Sequence, residues 1–323
     1  MEAESIRNIS VIGAGTMGCG IAQMFAFNNY NVHLYNRPHP QDIKNEFFPQ
    51  RVENIRSTLS KMARRGVGSE SEIETIISRI KTTTSMDEAT SDAQLIIENV
   101  AEDLELKQKV FQELDRLCRP ETILATNTSV ISITEVAAKA GNKKRIVGTH
   151  FWNPAYLIPL VEVVKGNETS DEVVETTYRV LKHAGKYPVK VMKDVPGFIC
   201  NRLQHALWRE AISIVENGIA DAATVDDVIK KGFGIRLPVL GPLENADMAG
   251  LDLTLAIHNY ILKHISASPS PSPILKKKVE KGELGFKTGQ GFYKWSTEEA
   301  ARCRENLLDH LLDYVQKEQS KTT

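Results

Sequence analysis

The sequence predicts an α/β fold, a doubly wound sheet followed by a smaller all-helical domain. Three observations point to it. From Ile9 to about Met192 short β-branched runs alternate with amphipathic stretches of helical length; a glycine-rich turn from Gly13 to Gly18 joins the first run to the first stretch; and beyond Pro196 the helical pattern continues while the strand pattern stops. A boundary is therefore expected near Asp194, dividing residues 1–193 from residues 194–323.

The expected strands are residues 9–12, 32–36, 80–83, 95–99, 123–126, 146–150, 160–164 and 189–192, each a short apolar run bounded by turn formers. Among the intervening segments, residues 16–27, 52–63, 104–117 and 170–183 repeat apolar residues at three- and four-residue spacing. That spacing lays one apolar stripe along a helix and lets it cover a sheet. The near-continuous apolar strands read as a parallel sheet covered on both faces. After the boundary come helical patterns over residues 198–217, 225–231 and 248–264. Residues 266–273 alternate serine with proline, which removes amide donors and makes the segment a surface connection, and a terminal helix is expected over residues 297–317.

At 323 residues the chain is long enough for two cores, and its 41% hydrophobic and 25% charged content is that of an ordinary globular protein. Forty basic against forty-one acidic residues leave no long-range positive field, which argues against nucleic acid or an anionic membrane as partner. Any anion site must be local. The four cysteines lie far apart with no CxxC pair, so neither a metal site nor a disulfide framework is expected, and the thiols read as those of a reducing, cytoplasmic protein. The first eight residues lack the basic and apolar blocks of a signal peptide, and no apolar stretch approaches the ~20 residues that span a bilayer.

Gly13, Gly15 and Gly18 form a GxGxxG that follows a strand and opens a helix, the context that turns a weak motif into a dinucleotide fingerprint of the Rossmann type. The first glycine permits the tight turn, the second lets a pyrophosphate approach the backbone, and the third lets helix and strand pack closely. Thr16 and Met17, in the first helical turn, then face the anion. At the end of the second strand, where a carboxylate normally takes the ribose hydroxyls of NAD, stand Asn36 and Arg37. An amide followed by a guanidinium suits the 2′-phosphate of NADP, so NADP is expected to be tolerated alongside NAD. The alternative is that Arg37 points to solvent and Asn36 binds an NAD ribose.

Moving hydride to or from a nicotinamide requires a group that takes or gives the hydroxyl proton near neutrality, which favours histidine. Of the eight histidines only His150 ends an expected sheet strand, with a chain reversal just beyond it. Glu162 lies in the strand Leu160-Val161-Glu162-Val163-Val164, where a carboxylate between valines is costly unless paired. The imidazole of His150 is the natural partner, and the pair would fix the ring and favour its protonated form. Taken singly, each residue also reads as a satisfied core group.

The segment from Gly148 to Val164, with Asn127-Thr128-Ser129 before it and Pro196-Gly197-Phe198-Ile199-Cys200-Asn201-Arg202 after it, resembles the 3-hydroxyacyl-CoA dehydrogenase family. Gly241-Pro242-Leu243-Glu244 and Lys287-Thr288-Gly289-Gln290-Gly291-Phe292-Tyr293 extend the resemblance over nearly the whole chain. It implies interconversion of a 3-hydroxyacyl-CoA and a 3-oxoacyl-CoA with NAD or NADP, His150 as general base, Glu162 as its partner, and Ser129 and Asn201 holding the substrate's oxygens. It also implies cofactor contacts from Asn99, Glu102, Lys107 and Asn153, with Asn99 standing where the family often has a small residue. Lys61, Arg64 and Arg65 follow a segment resembling the family's CoA-contacting helix and would suit the 3′-phosphate of CoA; a solvated helix end is the competing reading.

Two rival functions remain at this point. Tyr156 to Glu162 and Gly232-Phe233-Gly234-Ile235-Arg236 also resemble branches acting on free hydroxy acids such as gulonate or carnitine, and a non-catalytic structural or cofactor-sensing role is the alternative of another class. The resemblance implies a homodimer formed through the helical domain, with which the apolar faces in residues 198–215 and 248–265 are consistent.

Overall fold

The computed structural model describes residues 2–38 and 46–322. Eight strands form one sheet: β1 (Asn8–Ile12), β2 (Asn31–Tyr35), β3 (Ile80–Thr83), β4 (Leu95–Glu98), β5 (Ile123–Thr126), β6 (Ile146–Phe151), β7 (Leu160–Val164) and β8 (Tyr187–Val191). Their order is β3-β2-β1-β4-β5-β6-β7-β8, so the strand sequence reverses between β1 and β4. In doubly wound sheets that reversal opens the ligand crevice at the strands' carboxyl ends.

The α-helices are α1 (Thr16–Phe27), α2 (Phe47–Arg64), α3 (Ile73–Ser78), α4 (Met86–Thr90), α5 (Leu104–Leu117), α6 (Ile133–Val136), α7 (Asp171–His183), α8 (Cys200–Glu216), α9 (Ala222–Lys231), α10 (Pro242–Ala249), α11 (Leu251–Ile261), α12 (Pro273–Glu280) and α13 (Thr297–Thr322). Side-chain caps start several of them where the sequence offers Ser or Asp: Asp103 accepts from the Leu106 amide at α5, and Ser170 from the Val173 amide at α7. One sheet face packs Ile21 and Phe25 of α1, Ile55 and Leu59 of α2 and Val174 and Val180 of α7 against strand residues. The other packs Val110, Phe111 and Leu114 of α5 and Ile133 and Val136 of α6.

The first six strands run parallel as expected, but β7 runs antiparallel to β6 and β8 follows β7. The connection between β6 and β7 explains the exception, because a parallel return needs a crossover of a dozen or more residues and residues 152–159 are too few.

The chain divides into two compact units, one of residues 1–201 and 307–323 and the other of residues 202–306. Against the single expected boundary at 193/194, residues 194–201 stay with the sheet. Asp194 accepts hydrogen bonds from the Ser132 and Thr134 hydroxyls and from the Ile133 and Thr134 amides, which ties the segment down. Helix α13 outlasts the expected residue 317, and its part from Leu307 belongs to the sheet-bearing unit. In the helical unit the single helix expected over 248–264 is two, α10 and α11, broken at Gly250, whose φ of 97° lies outside helical space. Among the described residues no helix is long and apolar enough to cross a membrane.

Candidate active site

The glycine turn leaves β1 beside the crevice. Gly13 adopts φ 109°, donates its amide to the Tyr35 carbonyl at 2.8 Å, and would press a Cβ to 2.7 Å from the Asn99 carbonyl oxygen. A Cβ on Gly18 would meet the Gly13 carbonyl oxygen at 1.8 Å, so that position seals helix against strand. A Cβ on Gly15 meets nothing within 4 Å, so the backbone there stands open to an approaching group. Gly15 caps α1 without any side-chain hydrogen bond, which leaves the first-turn amides of Thr16, Met17 and Gly18 to an anion. This is a cradle that fits a dinucleotide pyrophosphate. Beyond β2, Asn36 accepts from the Ala14 amide at 3.3 Å and donates to the Arg37 carbonyl at 2.8 Å, while Arg37 is exposed.

The His150 and Glu162 side chains meet as the sequence predicts. They are direct partners across the antiparallel β6–β7 ladder, where facing side chains lie closest. Glu162 Oε2 lies 2.8 Å from His150 Nδ1, and both residues are buried. Glu162 Oε1 accepts two more hydrogen bonds, from the amides of Ile199 at 2.8 Å and Cys200 at 3.0 Å. Those amides are aimed by the turn Gly197-Phe198, in which both residues have positive φ. Burial alone pushes the Glu162 carboxyl up, but the hydrogen bonds from His150, Cys200 and Ile199 outweigh it and hold the group below its ordinary value. The His150 ring lies between aromatic neighbours, with centroids 5.2 Å from Trp152 and 5.7 Å from Phe198.

Asn201 follows directly on the segment that caps Glu162, and its Nδ2 donates to the Ser129 carbonyl at 2.7 Å. Ser129 is exposed and held through its amide, which donates to Glu102 Oε1 at 2.9 Å. Glu102 also accepts from the Thr128 hydroxyl at 2.5 Å and the Val130 amide at 3.3 Å. Burial raises its carboxyl, yet these bonds and the Lys107 ammonium lower it overall. The structure thus links Glu102, Ser129 and Asn201 by hydrogen bonds, and Cys200, the residue before Asn201, carries the connection on to Glu162 and His150.

Lys107, Asn99 and Asn153, three of the expected cofactor residues, lie in different surroundings. Lys107 is only 1% exposed, and its ammonium holds Glu98 at 2.8 and 3.1 Å and lies 3.5 Å from Glu102. Its charge is spent inside the protein. Asn99 donates to the Ile97 carbonyl and accepts from Asn127, which in turn accepts from the Phe151 amide, so it stitches the ends of β4, β5 and β6. Asn153 is exposed, just beyond β6. At the other end, Arg64 bonds Ser60 within α2, Lys61 makes no ion pair among the described residues, and Arg65 is bound by Asp309 and Asp313.

Sequence reasoning missed Glu98, a fully buried carboxylate that also accepts from the Thr126 hydroxyl and the Val100 amide. Its signal was the one available for Glu162, an acid ending an apolar strand. It also missed Trp152, whose indole Nε1 is buried beside His150 without a hydrogen-bond partner among the described residues.

With this geometry in place, the comparisons with known proteins agree. Residues 8–195 match the family described as 3-hydroxyacyl-CoA dehydrogenase, NAD binding domain, and residues 197–295 match 3-hydroxyacyl-CoA dehydrogenase, C-terminal domain. A probable 3-hydroxybutyryl-CoA dehydrogenase of Bacillus subtilis is 38% identical over 291 residues, 90% of this chain and 98% of the relative. The solved structure of a 5-formyl-3-hydroxy-2-methylpyridine 4-carboxylic acid 5-dehydrogenase, described as an NAD+-dependent dismutase, is similar with a TM-score of 0.84 at 32% identity, covering 96% of this chain and 98% of that one. That of (S)-3-hydroxybutyryl-CoA dehydrogenase from Ralstonia eutropha gives a TM-score of 0.73 at 35% identity, covering 90% and 100%. The chain belongs to the 3-hydroxyacyl-CoA dehydrogenase family of NAD-dependent oxidoreductases, with that family's NAD-binding domain first and its C-terminal domain second.

Proposed function

We propose that the chain interconverts a 3-hydroxyacyl-CoA and a 3-oxoacyl-CoA, with His150 as the base. The observation that carries this reading is the buried His150–Glu162 pair at the carboxyl edge of the sheet that bears the glycine cradle. The Glu162 carboxylate accepts from Nδ1–H, which leaves Nε2 to take the substrate's hydroxyl proton. The nicotinamide, when bound, supplies the hydride acceptor. Ser129 and Asn201 offer a hydroxyl and a carboxamide to orient the oxygen-bearing carbon, and the resulting imidazolium is stabilised by the carboxylate behind it.

NAD is the family's cofactor, and we infer that NADP is tolerated as well. Directly after β2 the sequence has Asn36 and Arg37 in place of a carboxylate that would repel a 2′-phosphate, and Arg37 is exposed there. Acetoacetyl-CoA should oxidise NADH at a measurable rate, and kcat/KM with NADPH should lie within about tenfold of that with NADH. An NADH preference beyond about a hundredfold would sink the NADP inference. No turnover of any thioester would sink the substrate reading, and activity on a free hydroxy acid would then favour the second one. That second reading has its own support: the TM-score of 0.84 belongs to a relative whose name carries no CoA, and Arg65 is already engaged.

We also propose a homodimer formed through the helical unit. On α11, Leu251, Leu253, Leu255, Ile257 and Tyr260 are all more than half exposed, and at 100° per residue they fall on two opposite sides of the helix. Ala300 is the only buried residue among the described residues 202–306. Apolar surface on this scale, carried by a single helix, suits a second copy of the chain. Sedimentation equilibrium should give about twice the 36.0 kDa chain mass, and a concentration-independent monomer would refute the proposal.

A further inference from the structure

Helix α13 lies beyond residue 295, where the match to the family's C-terminal domain stops. Its residues from Leu307 pack on the sheet-bearing unit. Leu312 is buried with Met62, Val67 and Leu157, and Leu308, Leu311 and Val315 join the same cluster. This apolar stripe, spaced by three and four residues, sets the rotation of the helix. Asp309 and Asp313, four residues apart and so on one side of α13, thereby reach Arg65 at the end of α2. One guanidinium nitrogen of Arg65 lies 2.9 Å from Asp309 and the other 2.6 Å from Asp313.

These groups are partly exposed, so the ion pairs contribute little to stability by themselves. The leucines dock the helix, and the consequence of the ion pairs is one of recognition. Both arms of the Arg65 fork, the geometry that grips a phosphate, are occupied by carboxylates, and those carboxylates repel any phosphate that approaches. Of the three positive charges offered by Lys61, Arg64 and Arg65, that of Arg65 is the one engaged, and the two carboxylates around it lower the local positive potential.

We propose that α13 is a specificity element: by binding Arg65 through Asp309 and Asp313 it withdraws the end of α2 from phosphate recognition, so that the chain selects its substrate through the acyl group and not through the phosphorylated nucleotide end of CoA. The proposal rests on the thioester reading above, which it deepens. It makes pantetheine thioesters as good substrates as CoA thioesters.

The probe is adenosine 3′,5′-bisphosphate, the nucleotide end of CoA, titrated calorimetrically into the full-length protein saturated with NADH so that the dinucleotide site is filled. The wild type is expected to bind it no tighter than about 1 mM, and the double variant Asp309→Asn, Asp313→Asn about tenfold more tightly. In steady-state assays the double variant should lower KM for acetoacetyl-CoA about tenfold, with kcat and the KM for acetoacetyl-pantetheine unchanged. Circular dichroism and the thermal midpoint check that α13 is retained, as its leucines predict. Equal affinity of the two proteins for the bisphosphate overturns the proposal, as does a wild type that uses the CoA thioester more than about tenfold better than the pantetheine thioester. Absence of any thioester turnover overturns the thioester reading instead, and the bisphosphate titration then decides the role of α13 alone.

Discussion

His150→Gln is expected to lower kcat by about 10²- to 10⁴-fold while NADH binding stays within about twofold of the wild type. The carboxamide has similar reach and can still donate to Glu162, so the buried carboxylate keeps a partner and the fold is preserved. What it lacks is a nitrogen that takes a proton near neutral pH. The cradle built by Gly13, Gly15 and Gly18 lies on β1 and α1, away from the substitution, so cofactor affinity reports an intact sheet. Stopped-flow reduction of acetoacetyl-CoA with NADH, together with fluorescence titration of NADH, separates the two effects. A variant that keeps kcat within tenfold removes His150 from proton transfer.

Glu162→Gln is expected to cost about 10³- to 10⁴-fold in kcat, for a different reason. The glutamine carbonyl can still accept from the Ile199 and Cys200 amides, which turns its NH₂ toward His150 Nδ1. Nδ1 must then accept, so the ring proton moves to Nε2 and the base is blocked by its own hydrogen. Glu162→Ala does something else again: it leaves two amides and an imidazole without a partner and should destabilise the fold by about 3–5 kcal/mol. The wild-type carboxyl is held below its ordinary value of 4.5. A carboxyl depressed in the folded state contributes stability that is complete above its unfolded value and is lost as pH falls through its folded one. Unfolding free energy should therefore drop more steeply below about pH 4.5 for the wild type than for Glu162→Gln, as read by urea denaturation between pH 3 and pH 7. Parallel curves would show that the charge of Glu162 does not contribute.

Much of the sheet was legible because its signals are local. Each strand is a run of β-branched residues whose identity needs no knowledge of its neighbours, and GxGxxG between a strand and a helix constrains its own backbone. His150 and Glu162 were legible through cost, since a carboxylate among valines has to be paired and the nearest suitable group is one reversal away. The same logic, applied to the strand ending in Glu98, would have found the buried partner of Lys107.

The amino-acid sequence by itself determined the α/β order of elements, the glycine turn and the pairing of an imidazole with a carboxylate across one turn, because all three depend on residues near one another along the chain. Only the tertiary structure decided that β7 reverses, that Ile199 and Cys200 cap Glu162, that Asn99 and Lys107 serve the framework, and that α13 returns from the chain's end to take Arg65. Those outcomes join residues 9 to 248 positions apart, and the most distant of them depends on which surface a helix finds to bury its leucines, a choice that no periodicity or spacing in the sequence encodes.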